Sequence, residues 1–141
     1  MDLRAEVQAR LKVAYQSVSI LSNSPAIWQL NGYSSNVRTA SEKAGDKFWF
    51  DVTPDLYERR QVEFFLYCCG SPEVIYVFPR VNFEHFVRTA SLGGQKQVPN
   101  FALYSDGNIF EPAGHAESRF RISGFRNAFF LVPGGQATSA A

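Results

Sequence analysis

NVRTASEKAGDKFWFD, residues Asn36 to Asp51, is the stretch on which the reading of this chain turns. Two β-prone segments, Val37–Ala40 and Lys47–Val52, flank a loop in which Ala44-Gly45-Asp46 has the chemistry of a turn. The segments are therefore expected to form a hairpin. Within the second, Phe48, Phe50 and Val52 fall on one face and Trp49 and Asp51 on the other, the period of a strand with one buried side. The rest of the chain is expected as strands and one helix laid against this hairpin.

A chain of 141 residues suits one domain, large enough to bury a core without disulfide staples. It is 45% hydrophobic and 15% aromatic with thirteen Phe, which excludes a disordered chain and favours a sheet core built of rings. A formal net charge of +1 neither demands nor excludes nucleic acid, so a binding surface for it has to come from local clustering of Lys and Arg. Cys68 and Cys69 are adjacent and on a strand would point to opposite faces, so a disulfide between them would be strained. Buried thiols in a reducing, cytoplasmic setting are expected instead. No apolar run approaches the ~20 residues of a membrane span, and the N-terminus has no signal-peptide core, so no membrane partner is expected.

Leu3, Val7, Leu11, Ala14 and Val18, at spacings of three and four, predict an amphipathic helix from Asp2 to about Val18. Ser22-Asn23-Ser24-Pro25 ends it. The apolar run Ala26–Leu30 leads into Asn31-Gly32, a strong hairpin-turn signal that would bring Trp28 close to Asn36. Thr53-Pro54-Asp55 breaks the strand before it, and Leu56–Gln61 reads as a helical turn or polar loop. Val62–Cys69 and Val74–Phe78 are nearly unbroken apolar runs, expected as central strands covered on both faces. Asn82 is a good N-cap for a helix from Phe83 to about Ala90 that buries Phe83, Phe86, Val87 and Ala90, with Gly93-Gly94 as its exit. Strands are predicted at Phe101–Tyr104, Ile109-Phe110, Arg119–Ile122 and Ala128–Val132, with a turn at Ser105–Asn108. Residues 1–132 form the expected single domain, and 133–141, rich in Gly, Ala and Ser, an expected disordered tail.

This order resembles the PD-(D/E)xK (restriction endonuclease-like) nuclease superfamily over roughly residues 1 to 90. The segments that carry it are Leu30-Asn31-Gly32 … Asn36-Val37-Arg38-Thr39-Ala40-Ser41, Phe48–Asp51, Val62–Tyr67 and Ile75–Pro79. The resemblance implies an α/β (α+β) fold, a central mixed sheet flanked by helices, here with a C-terminal β extension. It also implies a metal-dependent nuclease centre: an Asp on the first hairpin strand and Glu-x-Lys on the second, with the carboxylates holding Mg²⁺ and the Lys assisting. The chain departs from that pattern. Asn36 and Arg38 stand at the Glu and Lys positions, and Trp28-Gln29, near the place of the first Asp, has no carboxylate. Asn is a weak Mg²⁺ ligand, and Arg stays protonated, able to clamp phosphate but unable to act as a base.

The catalytic positions by this resemblance are Asn36, Arg38 and Asp51. If the carboxylates are re-sited, Asp51 and Glu6 are the expected Mg²⁺ ligands; Glu42 and Asp46 read as solvated loop charges. Without them no cofactor is expected. Arg38, Thr39 and Ser41 are expected at phosphate, joined by a basic C-terminal stripe of Arg119, Arg121 and Arg126 interleaved with Phe120, Phe125 and Phe129. That stripe reads equally well as charges guarding a sheet edge. His85 and His115 lack metal-ligand spacing, and Asp106-Gly107-Asn108 reads as a turn rather than a calcium loop. The expected function is a nuclease-fold protein handling nucleic acid, DNA ahead of RNA, with an impaired or relocated centre; a homodimer is compatible with it. The alternatives are a non-enzymatic protein-binding or assembly module on the same fold, and a β-barrel-like DNA-reading domain of restriction systems.

Overall fold

Asn31 and Gly32 both take positive φ, 51° and 85°, the backbone that a two-residue hairpin turn requires. They join β2 (Ser24–Leu30) to β3 (Tyr33–Ala40) in the register Leu30↔Tyr33 to Ile27↔Asn36. The structure, a computed structural model, describes residues 2–22, 24–40, 47–52, 62–88, 90, 92–93 and 98–136. Leu56–Gln61, Ser41 and the Ala44-Gly45-Asp46 turn lie outside them.

Helix α1 (Leu3–Ala14) begins at Asp2, whose carboxylate accepts the Ala5 N–H at 2.8 Å. It ends four residues before the predicted Val18. Tyr15 is extended, and Val18 opens β1 (Val18–Leu21) opposite Leu30, so strand pairing overrides the helical spacing there. Strands β5 (Phe64–Cys69) and β6 (Ile75–Pro79) complete a five-stranded sheet in the order β1-β2-β3-β5-β6. Every pair is antiparallel except β3 and β5. Parallel neighbours need a crossover, and the chain between β3 and β5 leaves the sheet, contributing β4 (Lys47–Asp51) to a second one.

The expected hairpin of Val37–Ala40 with Lys47–Val52 therefore does not form. β2 and β5 occupy both edges of β3, while β4 pairs with β8 (Val98–Tyr104). The second sheet runs β10 (Phe120–Arg121), β9 (Ile109–Pro112), β8, β4, with short β7 (Leu92–Gly93) also on β8. The alternation predicted in β4 holds: Phe48, Phe50 and the following Val52 are buried, and Trp49 and Asp51 are exposed. That apolar face lies against the first sheet. Gly70, at φ +80°, ends β5, and a side chain there would meet the Phe48 ring at 3.1 Å.

Helix α2 (Arg80–Val87) starts directly after Pro79, three residues before the predicted Phe83, and Asn82 lies inside it rather than at its cap. Its N-terminus is held instead by Arg80, which donates through Nη1 to the Val62 carbonyl and pairs with Glu84. Phe83, Phe86 and Val87 are buried, as the sequence predicts, but the helix ends at Val87, and Ala90, expected in the same stripe, lies beyond it and is only half-buried. The rings of Phe65 and Phe83 stack at 4.1 Å and those of Phe101 and Phe110 at 4.7 Å, so α2 and the second sheet share one aromatic core with the first. On the other face of the first sheet, Val7 and Leu11 of α1 pack with Trp28, Leu30, Leu66, Val77 and Phe129. The molecule is α+β, with the first sheet covered on both sides.

Strand β5 is internal and buried throughout, as expected. Strand β6 is equally apolar but stands last in its sheet, where the C-terminal chain covers it: Asn127 N–H donates to the Ile75 carbonyl, and its side-chain oxygen accepts the Ile75 N–H at 3.0 Å. The predicted strand at Ala128–Val132 is a 3-10 turn over Phe129–Leu131, and Arg119–Ile122 shortens to β10. Residues 133–136, expected to be disordered, are docked. Asn31 Nδ2 donates to the Pro133 carbonyl at 3.2 Å, and Gln136 N–H to that of Ala14 at 2.8 Å. Residues 137–141 lie outside the described residues. No helix among those described is long and apolar enough to cross a membrane.

Candidate functional site

Alternation along β3 sends Val37 toward α1 and Asn36, Arg38 and Ala40 toward the second sheet. Arg38 reaches the end of β4, where Nη1 donates to the Asp51 carbonyl and Nη2 to its Oδ1, each at 3.3 Å. The pair is open to water, with the Arg38 side chain 32% and that of Asp51 52% exposed. This contact ties the two sheets together beside the crossover.

Beneath it lie two polar groups with little company. Asn36 is fully buried; its Nδ2 donates to the Ala26 carbonyl at 3.1 Å, and its Oδ1 has no hydrogen-bond partner. Tyr67, opposite Arg38 in the β3–β5 register, is buried with an unpartnered phenol oxygen. Burial pushes its pKa far up; the Arg38 charge opposes that shift and the Asp51 charge adds to it. An unmet buried oxygen costs about 1–3 kcal/mol, so two on one sheet face, next to an ion pair, are a costly polar interruption of an aromatic core.

The other predicted residues do not converge here. Glu6 sits on α1, across the first sheet, close enough to the Cys68 thiol to add to the shift by which burial raises that group to about 12. Glu6 and Asp51 are therefore on opposite faces and cannot share a metal. Thr39 points to the α1 side, away from Arg38. With Asn36 buried and an Arg already on Asp51, the described residues supply a single carboxylate at this position. Mg²⁺ takes one or two carboxylates together with waters or phosphates, and the one carboxylate described here is already engaged by a guanidinium. No cluster of three or more His, Cys, Asp or Glu gathers among the described residues.

The C-terminal arginines are not one stripe. Arg126 is a structural clamp, donating through Nη1 to the Ser105 carbonyl and to Asn108 Oδ1 at 2.8 and 2.9 Å. Asn108 also accepts from the Tyr76 hydroxyl, so the Ser105–Asn108 turn is a braced hairpin turn. Arg119 Nε donates to Glu111 Oε1 at 2.7 Å, and Arg121 is exposed on β10. His85 packs against Phe120, and His115 lies 3.3 Å from Glu117. Cys68 and Cys69 are free, buried, and on opposite faces of β5, as expected.

Sequence reasoning missed Tyr67, hidden inside an apolar run, and Glu111, held between Phe110 and Pro112. For Tyr67 the available signal was a lone polar tip in a strand buried on both faces, and for Glu111 a carboxylate set between two apolar residues. No family model, curated protein or solved structure matches this chain.

Proposed function

We propose that this is a nuclease-fold protein that binds nucleic acid without cutting it, with Arg38 at the phosphate. The observation that carries the reading is the Arg38–Asp51 contact near the end of β3, where a fork-shaped cation makes an ion pair open to water. Such an ion pair contributes about 0–1 kcal/mol, so a phosphate, which matches the guanidinium fork, competes for it readily. The element order supports the family reading: a helix, three antiparallel strands, then a crossover to a strand parallel to the third. The unmet Asn36 and Tyr67 oxygens support a site that is polar yet lacks a carboxylate pair. Arg38 positions phosphate, and because the described residues set no base or metal-binding cluster beside it, the backbone stays intact in this reading.

Fluorescence anisotropy of a labelled DNA duplex tests this. Arg38→Ala is expected to weaken binding and to flatten the dependence of log affinity on log salt by about 1, the loss of one phosphate contact. Equal affinity and slope for the variant would remove Arg38 from the interface. Absence of salt-sensitive binding by the wild type would favour the protein-binding module instead.

A further inference from the structure

The outer face of the second sheet carries a separate arrangement. Phe48, Phe50, Phe101, Leu103 and Phe110 point into the shared core, so alternation turns Lys47, Trp49, Tyr104 and Glu111 outward. Trp49 is 47% exposed, whereas Trp28, the only other Trp in the chain, is fully buried. The Lys47 ammonium lies 4.6 Å from the Trp49 ring centre and 5.5 Å from that of Tyr104, and the Arg119 guanidinium 4.9 Å from the Tyr104 ring. Cations and rings are thus interleaved.

Glu111 holds the arrangement in place. Its carboxylate, nearly buried, accepts from Arg119 at 2.7 Å and from the Tyr104 hydroxyl at 3.3 Å, with Lys47 Nζ at 4.0 Å. One carboxylate orients two cations, and Arg121 adds a third opposite Ile109 on the same face. Lys47, Arg119 and Arg121 stand against Glu111 and Asp51 on this face, which leaves a small positive excess around a half-exposed indole.

We propose that this face is a stacking platform for single-stranded nucleic acid, with a base on Trp49 and its phosphates at Lys47, Arg119 and Arg121. Charge complementarity selects a polyanion. The exposed flat ring selects one that presents π-faces, since base-on-aromatic stacking tolerates any sequence. Continuity with the Arg38 site supports the same ligand. Asp51 follows Trp49 by two residues on the same face of β4, roughly 7 Å along the strand, so the Arg38–Asp51 pair borders the platform. The inference rests on the preceding reading for its ligand class, and adds strandedness and an address.

The test is intrinsic Trp fluorescence during titration with a thymidylate oligomer at low salt, alongside anisotropy of the same oligomer carrying a label. Because Trp28 is buried, quenching reports Trp49. Quenching is expected for the wild type. Trp49→Ala should lose the quenching and bind the labelled strand about tenfold more weakly, and Arg121→Ala, at an exposed position, should weaken it severalfold. Single-strand binding unaffected by Trp49→Ala overturns the proposal. Duplex binding that needs Arg38 while the oligomer leaves Trp49 unquenched overturns it too, and leaves the nucleic-acid reading intact. Single-strand binding that needs Trp49 but is indifferent to Arg38→Ala supports the platform and discards Arg38 as a phosphate site. No binding of either nucleic acid removes both, and equal quenching by polyglutamate overturns the platform in favour of an acidic peptide.

Discussion

On the inner face of β3 and β5, Asn36 and Tyr67 carry polarity that the fold does not use. Each presents an unmet buried oxygen toward the second sheet, but they differ in what their removal does. Asn36→Ala deletes the donor to the Ala26 carbonyl and leaves a cavity, so a loss of about 1–3 kcal/mol in denaturant unfolding is expected. Tyr67→Phe deletes only an unpartnered hydroxyl in an otherwise apolar site and should be neutral or stabilising by up to about 1 kcal/mol. A clear loss of stability in the phenylalanine variant would show that the hydroxyl is bonded in solution.

Among the elements, local signals are legible in the sequence and partner choice is not. The Asn31-Gly32 turn and the Lys47–Asp51 alternation both depend on neighbours in the chain, and both form as expected. Which strand β4 would join depends on β2 and β5 already filling the edges of β3, a fact no window of sequence contains. For the same reason an unbroken apolar run does not distinguish internal β5 from terminal β6, whose edge is covered by Asn127 from 52 residues away. The start of α2 was masked by a good capping residue, Asn82, when the tie comes from Arg80 to the Val62 carbonyl. Two positions test the packing that resulted. Gly70→Ala should cost at least about 1 kcal/mol, from positive φ and from crowding Phe48. Asn127→Gly keeps the backbone freedom that its φ of 52° requires but loses the side-chain bonds to Ile75 N–H and the Glu73 carbonyl, so a loss of about 1–3 kcal/mol is expected. Unchanged unfolding midpoints would contradict these roles.

Across the whole molecule, burial of weak acids sets the response to alkali. Burial raises Cys68 from 9.0 and Tyr76 from 10.0, each to about 12, and moves Cys69 and Tyr67 the same way. The folded chain keeps these protons while the unfolded chain releases them. Their contribution to stability is therefore whole below about pH 9 and is lost as pH rises toward about 12. A melting temperature that falls steadily across that window is expected; one that stays level through about pH 11 would contradict the burial. The same thiols should resist a thiol reagent in the native state and react on unfolding.

Binding without cleavage beside the Arg38–Asp51 pair is tested by one gel. Supercoiled plasmid is incubated with the protein at low salt, with Mg²⁺, with Mn²⁺ and with neither, next to Asp51→Ala. The plasmid is expected to be retarded by the protein and recovered intact under all three conditions. Metal-dependent nicking by the wild type that Asp51→Ala abolishes would contradict it, and would place a working carboxylate at the end of β4.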